Sequence, residues 1–511
     1  MLCRDLLDAI EPLAVSGITD QEIHGLYYDS RQVQPGGLFF ALKGAAVDGH
    51  RFLEAAIREG AVAVVVEDET SVPAGTPFVK VSDARVAMAR TASVFYGNPT
   101  HSIPVIGITG TNGKTTTTFL VEGILASAGI EAAVLGTVSY RFRHVSIPAP
   151  HTTPESVDLQ KILREITEMG AGAVVMEVSS HSLEQHRVDG CLFDVGVFTN
   201  LTRDHLDYHQ TMEAYLASKM RLFSELLAAD NEKPRRAAVI NIDDEYGSVI
   251  AEGAACPVIT YGLVSASSVT AKDVQITVEG IAGELVTPKG TISFRSRMLG
   301  RFNLYNILAA ASVGIALDLP LPAIKGGIEH HKSVPGRMER VDNDRGVTLL
   351  VDYAHTGDAL ENVLRTVKGV AGKRIITLFG CGGDRDKGKR PIMGEIAVTF
   401  SDLAIVTSDN PRTEEPGAII DDIRRGITPL GVREYGIGDI TEGFKEKGFV
   451  VVESRKEAIR LAVQMARSGD VVLLAGKGHE DYQIIGKIKH HFDDREEAAA
   501  AFGELQPREK A

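Results

Sequence analysis
Between Val105 and Thr118 the chain reads VIGITGTNGKTTTT, and these residue types at this spacing suit the binding of a phosphorylated nucleotide. Gly110-Thr111-Asn112-Gly113 can bend so that several backbone N–H groups face one anion. Lys114 can reach the terminal phosphates and the Thr115 hydroxyl can hold Mg²⁺. The spacing departs from the common phosphate loop: Ile108 stands where a glycine is usual, and glycines fall at Gly107 and Gly110 instead. Further polar groups follow apolar runs. Glu177 and His181 come after Ala173 to Met176, and Asn200, Asp204 and His205 after Val195 to Phe198. Mg²⁺ takes oxygen ligands from one or two carboxylates plus phosphates, so these residues suit a magnesium-nucleotide site if the fold gathers them beside Lys114. In the last third, GCGGDRDKGKRP reads as a loop that exposes Arg385, Lys387, Lys389 and Arg390 to an anion.

The elements that must position these groups are strands alternating with helices. Ile103, Val105, Ile106 and Ile108 form a buried strand before the glycine loop, and Phe119, Leu120, Val121, Ile124 and Leu125 recur at helical spacing after it. Repeated strand-then-helix order implies parallel sheets, in which ligands sit beyond the carboxyl ends of the strands. The third unit repeats the plan, with strands Thr348 to Val351, Arg374 to Phe379, Leu403 to Thr407 and Asp470 to Ala475, each ending in polar or Gly-rich sequence. Glu213 to Leu227 reads as a helix, and spacing alone makes its Lys219 a solvated helical lysine. Ser30 and Arg31, before a Pro-Gly-Gly turn, read as turn and surface residues.

With 511 residues the chain is too long for one core. The reading is an α/β protein of three domains: an N-terminal small α/β module at 1–98, a central parallel-sheet nucleotide domain at 99–333, and a C-terminal Rossmann-like domain at 334–511, entered through a linker at His330 to Val341. A net charge of −14 argues against nucleic acid as a partner. Cys3, Cys191, Cys256 and Cys381 lie far apart and fit reduced cytosolic thiols. MLCRDLLDAI carries no signal-peptide pattern, and an apolar run long enough to cross a membrane is missing, so a cytoplasmic protein without membrane contact is expected.

The strings DSRQVQPGGLF, GTNGKTT, HTTPES, EVSSHSLEQHRV, TNLTRDHLDYH, YLASK, GRFNLYN, PGRMERV, DYAHTGDALE, GCGGDRDKGKRP, DNPR and GKGHEDYQ, in this order and along essentially the whole chain, resemble the Mur ligases. These ATP-dependent enzymes extend the peptide of the bacterial cell-wall precursor. The irregular glycine loop is the form that family uses. The likeness is greatest to the branch that adds the third residue to UDP-N-acetylmuramoyl-L-alanyl-D-glutamate. It implies ATP and Mg²⁺ as cofactors, that UDP-dipeptide and meso-diaminopimelate as substrates, and a monomer.

Residue by residue, the resemblance implies that Gly110, Thr111, Asn112, Gly113, Lys114, Thr115 and Thr116 bind ATP phosphates, with Asn303, Arg337 and Asp352 around the nucleotide. Ser30 would contact the uridine nucleotide, and Thr152, Thr153, Ser179, Gln185 and Arg187 the muramoyl dipeptide. Glu177 and His205 match metal-binding positions. Lys219 matches a lysine the family carbamylates, which reverses the solvated reading, because a carbamate offers two oxygens to a second magnesium. Arg385, Asp409, Asn410, Pro411, Arg412, Gly476 and Glu480 match positions around the amino acid. Arginine offers a planar fork for the far carboxylate of diaminopimelate, which lysine lacks. DNPR thus argues against a lysine-adding relative, and DSRQVQPG against a folate-polyglutamate relative; a nucleotide-dependent switch or motor is the alternative from another class. One departure is Gly357 in DYAHTGDALE, where the family more often has proline.

Overall fold
The computed structural model describes residues 1–18, 20–44, 47–228, 232–330, 333–440 and 443–505. His331 and Lys332 of the expected linker lie outside them. Two compact units are present. The first comprises Met1–Ala271, Leu285–Ile292 and Tyr305–Ile328, and the second comprises Lys272–Glu284, Ser293–Leu304 and Glu329–Ala511.

The first unit holds two sheets. A five-stranded sheet runs in the order Ala14–Ser16, Phe78–Lys80, Ala61–Val66, Gly37–Phe40, Gly25–Tyr27, and is parallel except for the first strand. An eight-stranded sheet runs in the order Val258–Tyr261, Ala237–Asn241, Val195–Phe198, Val105–Thr109, Ala173–Glu177, Ala132–Leu135, Ser139–Phe142, Val145–Pro148. Its first six strands are parallel and the last two antiparallel. Val105–Thr109 is buried at every position and has a parallel neighbour on each side, which is why it reads as a continuous apolar run. The antiparallel pair escaped the sequence reading because Val145–Pro148 is exposed throughout and carries no core pattern.

The second unit is built on a seven-stranded sheet in the order Glu339–Val341, Thr348–Asp352, Val471–Ala475, Ile375–Phe379, Leu403–Val406, Gly448–Val451, Arg433–Tyr435. It is parallel apart from its first strand. The expected strands are its central ones, and the short edge strands were not foreseen. A two-stranded hairpin, Tyr482–Ile485 with Ile488–His491, follows the strand Val471–Ala475. Gly357 is the first residue of the helix Gly357–Val370, whose Thr356 cap accepts from the Ala359 N–H. Proline is tolerated at that first position, so glycine there costs the helix only some unfolded-state entropy.

Candidate functional site
The glycine loop lies between the strand Val105–Thr109 and the helix Lys114–Ser127. Gly110 has φ +143° and Gly113 φ +85°, both in the region that favours glycine. A Cβ on Gly110 would lie 1.9 Å from Thr199 Oγ1, and one on Gly113 2.4 Å from Asn306 Oδ1. The loop is pinned from the next strand. The Thr111 N–H donates to Asn200 O at 2.8 Å, the Asn112 N–H to Asn200 Oδ1 at 2.9 Å, and Thr199 Oγ1 donates to Asn112 O at 2.6 Å. Thr115 and Thr116 open the helix and are buried. Substituting Gly110 by alanine should therefore push the loop off Thr199 and weaken nucleotide binding by at least about tenfold. ADP titration of the folded variant measures this, and wild-type affinity would contradict it.

Two lysines converge here. Lys114 Nζ donates to Gly110 O at 2.9 Å and to Thr111 O at 2.8 Å, and Lys219 Nζ donates to the same Gly110 O at 2.9 Å. Lys219 is 1% exposed, which overturns the solvated reading that spacing alone supports. The helix Met212–Ser224 buries Tyr215, Ser218, Lys219, Leu222 and Phe223, so Lys219 sits on the core stripe, its ammonium 4.5 Å from the Tyr215 ring centre. Leu222 and Phe223, fully buried and contributing about 2 kcal/mol each, hold that face inward. Burial, and then the Lys114 charge, pull the Lys219 pKa well below that of an ordinary lysine, with Asp204 opposing.

His205 caps the short helix Leu206–His209 with φ +53°. Its ring stacks edge-on against His181 at 4.9 Å, and its Nε2 lies 3.6 Å from Asp204 Oδ2. Burial lowers its pKa, Asp204 opposes, and the charges of Lys114 and Lys219 lower it further. The neutral ring leaves a lone pair for a metal. Glu177, 1% exposed, ends its strand in register with Ile108 and accepts from the Thr137 N–H at 2.9 Å and the Thr137 hydroxyl at 3.0 Å. Among the described residues, groups of three or more His, Cys, Asp or Glu side chains arranged to hold a metal are absent. The donor set nevertheless fits Mg²⁺ in kind, with oxygens from Thr115 and Glu177; Lys219 fits only as a carbamate, since an amine is a poor magnesium ligand.

Thr137, which sequence reasoning missed, also touches Thr152 Oγ1 at 3.2 Å and so joins Glu177 to the residues expected at the dipeptide. Thr153 donates to Glu177 O at 2.8 Å and accepts from the Ser179 N–H at 3.2 Å, while Ser179 caps the next helix by accepting from Ser182. Arg187 donates to Gln185 Oε1 at 2.7 Å and to Thr153 O at 3.1 Å, and pairs with Glu155 at 2.9 Å; Glu155 also lies 3.5 Å from Arg85. Ser30 opens a 3₁₀ turn capped by Asp29, whose carboxylate also grips Arg31.

Asn303, Arg337 and Asp352 belong to the second unit. Asn303 donates to Leu299 O at 2.8 Å. Asp352 accepts from the Met338 and Ala354 N–H groups, both at 2.8 Å, and the Arg337 guanidinium lies 5.0 Å from the Tyr353 ring centre. The turn Asp409-Asn410-Pro411-Arg412 follows the strand Leu403–Val406. Arg412, at φ +51°, donates its N–H to Ile484 O at 3.1 Å and Nη1 to Gly383 O at 2.7 Å. Asn410 Nδ2 donates to Glu480 Oε2 at 3.0 Å. Gly476 takes φ +114° directly after the strand Val471–Ala475.

Of the cations expected to face an anion from the 380–391 loop, Arg385 and Lys387 are exposed and Lys389 is half-buried, donating to His355 O. Arg390 is a correction. It is fully buried, pairing with Glu414 and Asp422 at 2.9 Å each, so it anchors the loop instead of serving it. Lys477, also missed, is fully buried beside Asp409, Asn410 and Glu480. Its signal was its place after the strand Val471–Ala475, at the same strand ends as Asp352.

A glycine loop between a buried parallel strand and a helix N-terminus, with lysines gathered on its carbonyls, places the chain among the phosphate-loop α/β proteins. Three models of one family match within it: "Mur ligase family, catalytic domain" over 22–96, "Mur ligase middle domain" over 108–314 and "Mur ligase, glutamate ligase domain" over 336–478. A UDP-N-acetylmuramoyl-L-alanyl-D-glutamate--2,6-diaminopimelate ligase of Geobacter metallireducens is 66% identical over 508 residues, covering 99% of each chain. One of Geobacillus thermodenitrificans is 46% identical over 504 residues, covering 99% of this chain and 100% of its own. A solved structure of a ligase of the same name, 34% identical, superposes with a TM-score of 0.71 over 98% of each chain. The chain belongs to the Mur ligase family and has its three-domain α/β architecture.

Proposed function
We propose that the chain is an ATP-dependent ligase that joins an amine of meso-diaminopimelate to the glutamyl carboxylate of UDP-N-acetylmuramoyl-L-alanyl-D-glutamate, in the making of the cell-wall precursor. The convergence of Lys114 and Lys219 on the Gly110 carbonyl carries the reading, supported by the names of relatives up to 66% identical. The glutamyl carboxylate attacks the γ-phosphate of ATP, giving an acyl phosphate and ADP. Gly110 to Thr116 hold the phosphates with backbone N–H groups, and Lys114 turns from its loop carbonyls to offset charge on the transferring group. The amine then attacks the acyl carbon, and phosphate leaves as the amide forms and the amine sheds a proton.

Mg²⁺, when bound, offsets negative charge on the phosphates, and Thr115, Glu177, His205 and carbamylated Lys219 would hold it. The carbamate has a physical motive in this fold: it replaces one of two cations crowded on a single carbonyl by an anion beside Lys114. Ser30, Thr152, Thr153, Ser179, Gln185 and Arg187 would bind the UDP-dipeptide, and Asn303, Arg337 and Asp352 would line the nucleotide. Arg385, Asp409, Asn410, Pro411, Arg412, Gly476 and Glu480 would bind the amino acid.

The domains would run 1–98, 99–333 and 334–511. The reading includes a cytoplasmic monomer without membrane or nucleic-acid partners; among the described residues no helix is long and apolar enough to cross a membrane. Phosphate release tests the reaction class. It should require ATP, the UDP-dipeptide and the amino acid together, whereas release driven by DNA or RNA would contradict it.

A further inference from the structure
Lys477 carries no side-chain exposure; its ammonium donates to Tyr482 O at 2.6 Å, Asn410 Oδ1 at 3.2 Å and Glu480 Oε2 at 3.5 Å, and forms an ion pair with Asp409 Oδ1 at 3.2 Å. A buried ammonium is retained only where charged and polar partners replace its water, and here they come from two separate segments. One is the turn Asp409 to Arg412, and the other runs from Glu480 into the hairpin strand Tyr482–Ile485. The same segments are laced by further bonds: Gln483 Nε2 to Asp409 O at 2.6 Å, the Ile484 N–H to Asn410 Oδ1 at 2.9 Å, the Arg412 N–H to Ile484 O at 3.1 Å, and the Gly486 N–H to Arg412 O at 2.8 Å. Arg412 holds its left-handed backbone inside this lacing.

We propose that Lys477 is a positioning residue for amino-acid recognition, fixing Arg412 through Asn410 and the hairpin while pairing with Asp409 so that Glu480 remains the carboxylate that accepts the incoming ammonium. This rests on the reading of Arg412 and Glu480 as amino-acid contacts. The charges agree with it. Asp409 is raised by burial but brought below its ordinary value by Lys477 and Arg455, whereas Glu480 stays raised by burial and by Asp409, with Lys477 and Asn410 opposing but not overcoming them. Arg455 is itself matched by Asp494, with which it forms a fully buried pair. Two carboxylates thus face the one lysine, and a substrate ammonium supplies the charge that balances Glu480.

The test is steady-state kinetics of Lys477→Met and of Lys477→Gln, using whichever amino acid the unmodified protein accepts. In the folded variants the amino-acid KM should rise at least about tenfold, with the KM of ATP and of the UDP-dipeptide within about twofold of normal. In the unmodified protein, the amino acid should slow amide exchange at Arg412, Ile484 and Gly486. An unchanged amino-acid KM, an equal rise for all three substrates, or unaltered exchange would overturn the inference. If the unmodified protein accepts lysine and its KM responds as stated, the diaminopimelate reading fails while the role of Lys477 stands.

Discussion

Replacing Lys219 with alanine is expected to lower ligation by about a thousandfold, in the range found when a charge-stabilising group is removed from a water-poor site. The side chain is buried against Tyr215 with its ammonium on Gly110 O, so truncation strikes the phosphate loop itself. On the proposed carbamate, its lowered pKa would have a chemical use. Only the neutral amine takes up CO₂, and this lysine reaches that form at a lower pH than an exposed one. Proton linkage has the same sign: between the lowered folded value and 10.5 the unfolded chain binds the proton more tightly, so the unmodified lysine weighs less against folding as pH rises. Millimolar acetate or propionate should partly restore ligation to Lys219→Ala by supplying the missing carboxylate. Full activity without added carboxylate would show that no carbamate is needed.

The second large effect belongs to Arg412. Its guanidinium carries more N–H donors than the bond to Gly383 O uses, and its backbone is tied to the hairpin on both sides. Loss of a fork-like contact to a substrate carboxylate costs about 3 kcal/mol, so Arg412→Ala should raise the diaminopimelate KM about a hundredfold. The KM of ATP should move little. Lysine, expected to be a poor substrate of the unmodified protein because it would leave Arg412 without an anion, should gain relative to diaminopimelate. Unchanged diaminopimelate kinetics would remove Arg412 from specificity.

The central strands were legible because burial on both faces leaves unbroken apolar runs, and because each ends in the polar or glycine-rich sequence that a ligand edge requires. The glycine loop was legible because Gly110 and Gly113 stand at positive φ, where a side chain would be strained and would collide with Thr199 and Asn306. Strand order and the antiparallel edges were not, since pairing partners leave no local signature and the strand Val145–Pro148 has no buried side to pattern. Spacing alone puts Lys219 in solvent because a charge disfavours a core position, yet Tyr215, Lys219 and Leu222 mark one helical stripe, and that stripe is the core. Arg390 and Lys477 show the converse. Both sit in charged, glycine-rich strings that look solvated, yet each is buried by carboxylates distant in sequence, Glu414 and Asp422 for one and Asp409 for the other. Such pairings are tertiary facts, invisible until the fold assembles them.

The most direct measurement offers the purified protein ATP, Mg²⁺ and UDP-N-acetylmuramoyl-L-alanyl-D-glutamate with a panel of amino acids, and weighs the nucleotide product by mass spectrometry. The expected result is a mass gain of one meso-diaminopimelate less water, with one phosphate released per product and little incorporation of lysine. Incorporation of lysine in preference to diaminopimelate, or ATP turnover with no amino acid joined, would contradict it.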